Sequence, residues 1–172
     1  MSPPLTVPRL RLATEEDRAR VLDLIRDAYA EFEPNVAAGD WVTMSNNLAA
    51  VVRRAPLGEL LVVDVGGRLG GTVTYHPPGP KDYDRVPESW AVIRALGVDP
   101  RHRGQGLGRL LTEECLRRAQ LDGAVAVGLH TAEIMVAAMS LYERMGFVRQ
   151  RAFTHLNMRF WIYARYTDAH RP

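Results

Sequence analysis

The sequence predicts a mixed fold, α/β or α+β, with one sheet of about seven strands flanked by about four helices. Short β-branched runs and longer runs of helical period follow one another in the order β-α-α-β-β-β-α-β-α-β-β. No internal repeat interrupts that order. The 172 residues are 47% hydrophobic and 24% charged, which suits a single domain over 1–172 with a substantial core.

Residues 1–8 contain three prolines and read as a loose lead-in. "RLRLA" (9–13) alternates and predicts a short strand. Thr14 then opens "TEED", a capping box, and a helix follows to about Phe32. Its apolar stripe is Val21, Leu24, Ile25, Ala28 and Phe32, and Pro34 ends it. A second helix over 40–54 gathers Trp41, Met44, Leu48, Val51 and Val52 on one face. Two β-rich runs, 60–65 and 69–76, flank Gly66-Gly67 and predict a hairpin. Four prolines make 77–89 a loop. "WAVIRALGV" (90–98) is the central-strand candidate, closed by Asp99-Pro100. A helix from about Gly106 to Leu121 follows, then a buried strand over 124–130. Residues 133–147 predict a helix ended near Gly146, and strands over 148–154 and 156–166 complete the chain. The β-α-β-α stretch over 90–146 contains the parallel part.

A formal charge of +2 is too mild to point to nucleic acid, and no recognition-helix or RNP pattern is present. The single cysteine, Cys115, allows no internal disulfide and sits on an apolar stripe, as a small buried hydrophobe would. No apolar run approaches the ~20 residues of a membrane span, and no signal-peptide pattern opens the chain, so a cytoplasmic protein without a membrane partner is expected. His76, His102, His130, His155 and His170 show no metal-ligand spacing, and no metal is expected.

Residues 101–110, "RHRGQGLGRL", hold three glycines in five residues just where a helix should begin. Glycine costs a helix interior roughly 0.5–1 kcal/mol relative to alanine. At a helix N-terminus, however, unpaired amides and about half a positive charge attract anions. Glycines there let the backbone approach a phosphate, and flanking arginines add charge-assisted bonds. The stretch therefore has the makeup of a phosphate cradle. Neither the Walker A spacing nor G-x-G-x-x-G fits it.

The spacing Arg103-x-x-Gly106-x-Gly108 resembles the acetyl-CoA signature R/Q-x-x-G-x-G/A of the GNAT superfamily of N-acyltransferases. Downstream, Ala138, Leu141, Tyr142, Glu143, Gly146 and Phe147 resemble that family's A-x-x-L-Y-E-x-x-G-F ending. The resemblance implies a centrally splayed sheet whose gap takes the pantetheine arm against Leu96, Gly97 and Val98. It implies a pyrophosphate on Arg103, Gly104, Gln105, Gly106, Leu107, Gly108 and Arg109, and Tyr142 as general acid for the departing thiolate. The implied reaction is acetyl transfer from acetyl-CoA to an amine of a small molecule or peptide, by direct attack in a ternary complex. The alternative is a CoA-binding sensor or regulatory module with reduced catalysis.

Two departures from the family pattern stand out. Met135 occupies a position where an asparagine often contacts CoA, and the strand over 90–98 lacks the glutamate that many relatives carry near the position of Val92. Glu88, Glu133, His130, backbone carbonyls or water remain open as the base. Tyr29, Phe32, Trp41, Tyr83, Trp161 and Tyr163 are candidate lining for the acceptor pocket. The identity of the acceptor, preference for another acyl-CoA and a homodimer are left open.

Overall fold

Alternation along the fully apolar run "LLVV" sends Leu60 and Val62 to one side of a sheet and Leu61 and Val63 to the other. All four are fully buried, so the strand carrying them must have helices on both faces. A computed structural model of the chain, which describes residues 6–172, shows this arrangement. Its strands are β1 (Arg9–Leu12), β2 (Leu60–Val65), β3 (Arg68–His76), β4 (Ala91–Val98), β5 (Ala126–Ala132), β6 (Val148–His155) and β7 (Met158–Tyr166). Its helices are α1 (Asp17–Tyr29), α2 (Ala38–Arg54), α3 (Leu107–Leu121) and α4 (Val136–Arg144). The strands form one mixed sheet in the order β1-β2-β3-β4-β5-β7-β6. Val21, Leu24 and Ile25 of α1 and Val52 of α2 cover one face. Leu111 and Cys115 of α3, with Met139 and Tyr142 of α4, cover the other. The expected lead-in falls partly outside the described residues; from position 6 to 8 it has no regular structure.

Strands β5 and β7 and helix α4 each start two or more residues later than the sequence predicts; β7 begins at Met158 because Leu156 and Asn157 take left-handed φ in the turn before it. Ala124 N–H bonds Ala119 at the end of α3, and Val125 N–H bonds Ser89, so β5 begins at Ala126 rather than 124. Glu133 N–H then pairs with Arg159 of β7, and Met135 N–H closes a turn on Ala132. Glu133 therefore lies in a turn, and α4 begins at Val136.

The capping box forms in a variant way. Asp17 Oδ2 accepts the Thr14 amide at 2.8 Å, but the Thr14 hydroxyl also donates to it, at 3.0 Å, instead of capping the helix. Arg11 forks onto both Asp17 oxygens at 2.6 and 3.1 Å, and its Nε reaches Asp64 on β2 at 2.6 Å. The Asp17 side chain is only 4% exposed. Hydrogen bonding by Arg11, and then by Thr14, outweighs burial and holds its carboxyl well below the usual carboxylate range. This stabilisation is fully present above the unfolded pKa of about 4 and is lost as pH falls towards the folded value. Asp17→Asn is expected to cost about 2–3 kcal/mol at neutral pH, as for a broken, partly buried charge pair. It should also flatten the fall of melting temperature below about pH 4, read by calorimetry across that range. An unchanged acid slope in the variant would remove Asp17 as its source.

The sheet opens in the middle. β4 and β5 are parallel and pair only at Ala91–Val127 and Val92–Gly128. From Ile93 to Val98, β4 is paired on its β3 side alone. Its register against β3 shifts between Thr72 and Thr74, where Ala95 takes a left-handed φ of 51°. That bulge turns the edge of β4 into the gap.

Candidate active site

The gap leads directly into the glycine turn. Asp99, 5% exposed, ties the two together: its amide bonds Gly70 of β3, and its carboxylate takes the Arg101 amide at 2.8 Å and the Arg101 guanidinium at 2.6 and 3.0 Å. Gly104 and Gly106 then adopt left-handed φ of 74° and 77°, and a Cβ built on either meets nothing within 4 Å. Gly106 precedes α3 and accepts from Leu110 N–H, the first amide of this run with a partner among the described residues. The amides before it have no partner among the described residues and lie at a helix N-terminus beside open Cβ positions, so the turn fits a phosphate. Leu107 is buried in the core and contributes only its backbone, and Gln105 is exposed.

Three residues of the motif also make contacts within the protein. Gly108 lies within the helix, and a Cβ there would stand 3.2 Å from Leu141 Cδ2, so its smallness admits α4. The Arg103 guanidinium reaches across to the C-terminal end of α1, donating to Ala28 O at 3.0 Å and pairing with Glu31 at 2.9 Å. Arg109 pairs with Glu113 one turn along, at 2.7 Å. Positive charge surrounds the turn, but each of these guanidinia already has a carboxylate.

Behind the bulge lies a cleft of about 690 Å³. Ala95 and Leu96 of β4, Leu129 and His130 of β5, and Tyr142 of α4 converge on it. The Tyr29 hydroxyl donates to Leu96 O at 2.8 Å, and α1 lies close enough that a Cβ on Gly97 would stand 2.9 Å from Ile25 Cδ1. Tyr142 is 5% exposed; its ring meets Phe147 at 5.6 Å and Tyr163 at 6.3 Å. Its hydroxyl has no acceptor among the described residues. Burial first, then Tyr29 and Cys115, pushes its pKa well above the ordinary phenol value, so the proton stays on. Cys115 is fully buried against α3's side of the sheet, and burial pushes its thiol up as well.

The Acetyltransferase (GNAT) family profile matches residues 19–147, which spans the splayed strand, the glycine turn and α4. The chain belongs to the GNAT family. Mycothiol acetyltransferase of Geodermatophilus obscurus is 42% identical over 96 residues, 55% of this chain and 30% of that protein. Human N-acetyltransferase 8B is 34% identical over 92 residues, 53% of this chain and 38% of that protein. This GNAT chain thus matches less than half the length of these relatives. The fold is similar to PaiA N-acetyltransferase from Thermoplasma acidophilum in complex with coenzyme A, at a TM-score of 0.71 and 14% identity over 93% of this chain and 99% of that one. It is also similar to yncA from Salmonella typhimurium with acetyl-CoA, at 0.71 and 18% over 97% and 98%. At such identities the structural matches speak for the fold.

The GNAT cleft gathers some of the expected residues and leaves others outside. Tyr29 and Tyr83 line it, with Met135 at the head of α4. Phe32 and Trp41 instead pack beside Met44 and Phe160, and Tyr163 is buried in the core with its hydroxyl on Glu143 at 2.8 Å. Trp161 donates to Glu133 at 2.9 Å, away from the cleft, and Glu88 is an exposed loop residue. His130 does line the cleft, but its Nδ1 lies 2.6 Å from the Tyr83 hydroxyl. Burial, then Arg94 and Arg85, pulls its pKa down to about 3, so it is uncharged at neutral pH and already holds a hydrogen bond.

Two carboxylates line the cleft, the exposed Asp82 and the half-buried Glu59, and nothing in the sequence singles out Glu59. It sits 3.2 Å from Nδ1 of His76, and burial raises its pKa. Burial, then Arg94 and Lys81, lowers His76 to about 4. Glu59 stands at the entry to a strand and His76 at the end of the next, 17 positions apart, a separation that only the hairpin closes. Among the described residues no helix is long and apolar enough to cross a membrane, and no three metal-ligating side chains converge.

Proposed function

We propose that this chain transfers the acetyl group of acetyl-CoA to the amine of a small molecule or peptide by direct attack in a ternary complex. The observation that carries the reading is the meeting, in one cleft, of the unpaired β4 edge and a tyrosine whose ring is buried and whose hydroxyl has no acceptor among the described residues. On this reading the gap-side backbone of Leu96, Gly97 and Val98, unpaired toward β5, aligns the pantetheine arm as an added strand would, with Leu96 O also accepting from Tyr29. The amides of residues 104–109 take the pyrophosphate, with Arg103 and Arg109 supplying field rather than a free fork. Acetyl-CoA supplies an activated acyl group, and the chain's own residues manage protons.

The nitrogen must shed two protons, one before attack and one as the amide forms, and the departing sulfur must gain one, with one proton released to solvent overall. The acceptor is an ammonium ion at neutral pH and must lose one before attack. Glu59, whose carboxyl is raised by burial, is the cleft residue suited to take it, directly or through a water, with His76 Nδ1 fixing its orientation. The departing thiolate then needs one, and Tyr142 keeps its proton available at any ordinary pH. The test is incubation with acetyl-CoA and a panel of amines while free thiol is followed. Amine-dependent thiol release, with acetylated amine recovered by mass spectrometry, is the expected result. CoA binding without release for any amine would favour the sensor or regulatory alternative.

A further inference from the structure

We propose that the amine acceptor also bears a carboxylate, held by Arg94, so that the substrate class is amino-acid-like. This rests on the acetyl-transfer reading above and sharpens it. Arg94 stands in the middle of β4, one residue before the bulge, and its side chain lines the cleft. It is half-buried, yet it makes no hydrogen bond and no ion pair with any described residue. Its guanidinium carbon stands 5.3 Å from the centroid of the Tyr83 ring, and the group feels the charge of Asp82 from beyond ion-pair reach. Every other arginine around the glycine turn already pairs with a carboxylate. The Arg94 guanidinium nitrogens are not sealed off, so a carboxylate entering the cleft can reach them.

The surroundings strengthen the case. The cleft is lined by four cationic side chains, Arg54, Lys81, Arg85 and Arg94, and by two carboxylates, Glu59 and Asp82. Asp82 lies 3.6 Å from Arg54. Lys81 spends its hydrogen bonds on Gly79 O and Glu88 O. Arg85 stacks over Phe153 at 3.9 Å. Arg85 and Arg94 are thus the two cleft guanidinia without a hydrogen bond or ion pair, and Arg94 is the one carried by β4, beside the gap. A planar guanidinium fork matches a carboxylate in two parallel hydrogen bonds. The phosphates of the acyl donor have their own seat at residues 104–109 and do not account for it. Glu59 in the same cleft suits the ammonium end of such a substrate, so one molecule bearing both charges satisfies both groups. Apolar wall from Met44, Leu48 and Phe160 leaves room for an uncharged side chain.

The experiment compares α-amino acids (glycine, leucine, methionine and phenylalanine) with their primary amides as acceptors, using wild type, Arg94→Gln and Arg94→Lys. The amides have the less basic and more readily deprotonated amines, so intrinsic reactivity opposes the expected preference. Wild type should favour the acids in kcat/KM by about 10–100-fold, the range of a lost charge-assisted bond. Arg94→Gln should abolish that preference through KM for the acids, and Arg94→Lys should keep part of it. Because Arg94 makes no hydrogen bond or ion pair and gives up only its contact with the Tyr83 ring, Arg94→Gln should still fold and melt close to wild type. A second arm titrates N-acetyl amino acids and their amides into the CoA-loaded protein by calorimetry. Tighter binding of the acids to wild type, absent in Arg94→Gln, supports the inference even where no amine in the panel is turned over. Equal use or equal binding of acid and amide, failure of wild type to bind either, or a preference that survives in Arg94→Gln overturns it. Failure of CoA itself to bind would count against the acetyl-transfer reading instead.

Discussion

Tyr142→Phe is expected to lower turnover by roughly 10²–10⁴, the usual loss when a general acid is removed, or about 3–5 kcal/mol of barrier. The substitution isolates the proton. The ring keeps its contacts with Phe147 and Tyr163, and the hydroxyl leaves no partner behind because it has none among the described residues. The fold and the affinity for CoA should therefore be nearly unchanged, since the lost interaction belongs to the transition state. Steady-state kinetics with one accepted amine, alongside CoA calorimetry, makes the comparison. A fall of under about threefold with chemistry rate-limiting would reduce Tyr142 to a packing residue and leave thiolate protonation to water. Parallel losses in binding and turnover would make its hydroxyl a positioning group for CoA.

Gly106→Val should weaken CoA binding by about 100-fold or more, the equivalent of losing two charge-assisted hydrogen bonds. Gly106 holds φ at 77°, and a side chain there would project into the open space that the phosphate reading requires. The variant should still fold, at a cost of about 1–2 kcal/mol for a left-handed non-glycine residue. Calorimetry with CoA reads the first effect and thermal melting the second. Normal CoA affinity in Gly106→Val would leave the glycines as a tight turn and nothing more. Gly108 is the poorer probe, because a larger side chain there pushes on Leu141 and so on Tyr142's helix.

These two positions are also where the sequence was most legible. The glycines and Tyr142 sit in local motifs whose chemistry depends on near neighbours, and helical and alternating periods reveal the element order without any tertiary information. What the sequence hid is non-local. The bulge at Ala95 uses a residue with no intrinsic preference for positive φ, so no glycine marks it. Period two says that Trp161 and Tyr163 share a face of β7 but not that this face turns away from the cleft, and their role as pocket lining fails for that reason. Glu59 just before β2, His76 at the end of β3 and Arg94 in β4 become a site only when these strands pair. The engagement of Arg103 with Ala28 and Glu31 spans more than 70 positions, and no local pattern signals it.

The most direct measurement is an experimental structure of the chain with CoA. The expected complex lays the pantetheine along Leu96, Gly97 and Val98, with the pyrophosphate within about 3.2 Å of amides between Gly104 and Arg109. The sulfur should lie within about 3.5 Å of the Tyr142 hydroxyl, allowing for the longer reach of sulfur. CoA bound away from the β4 edge, or with its sulfur remote from Tyr142, would contradict the account.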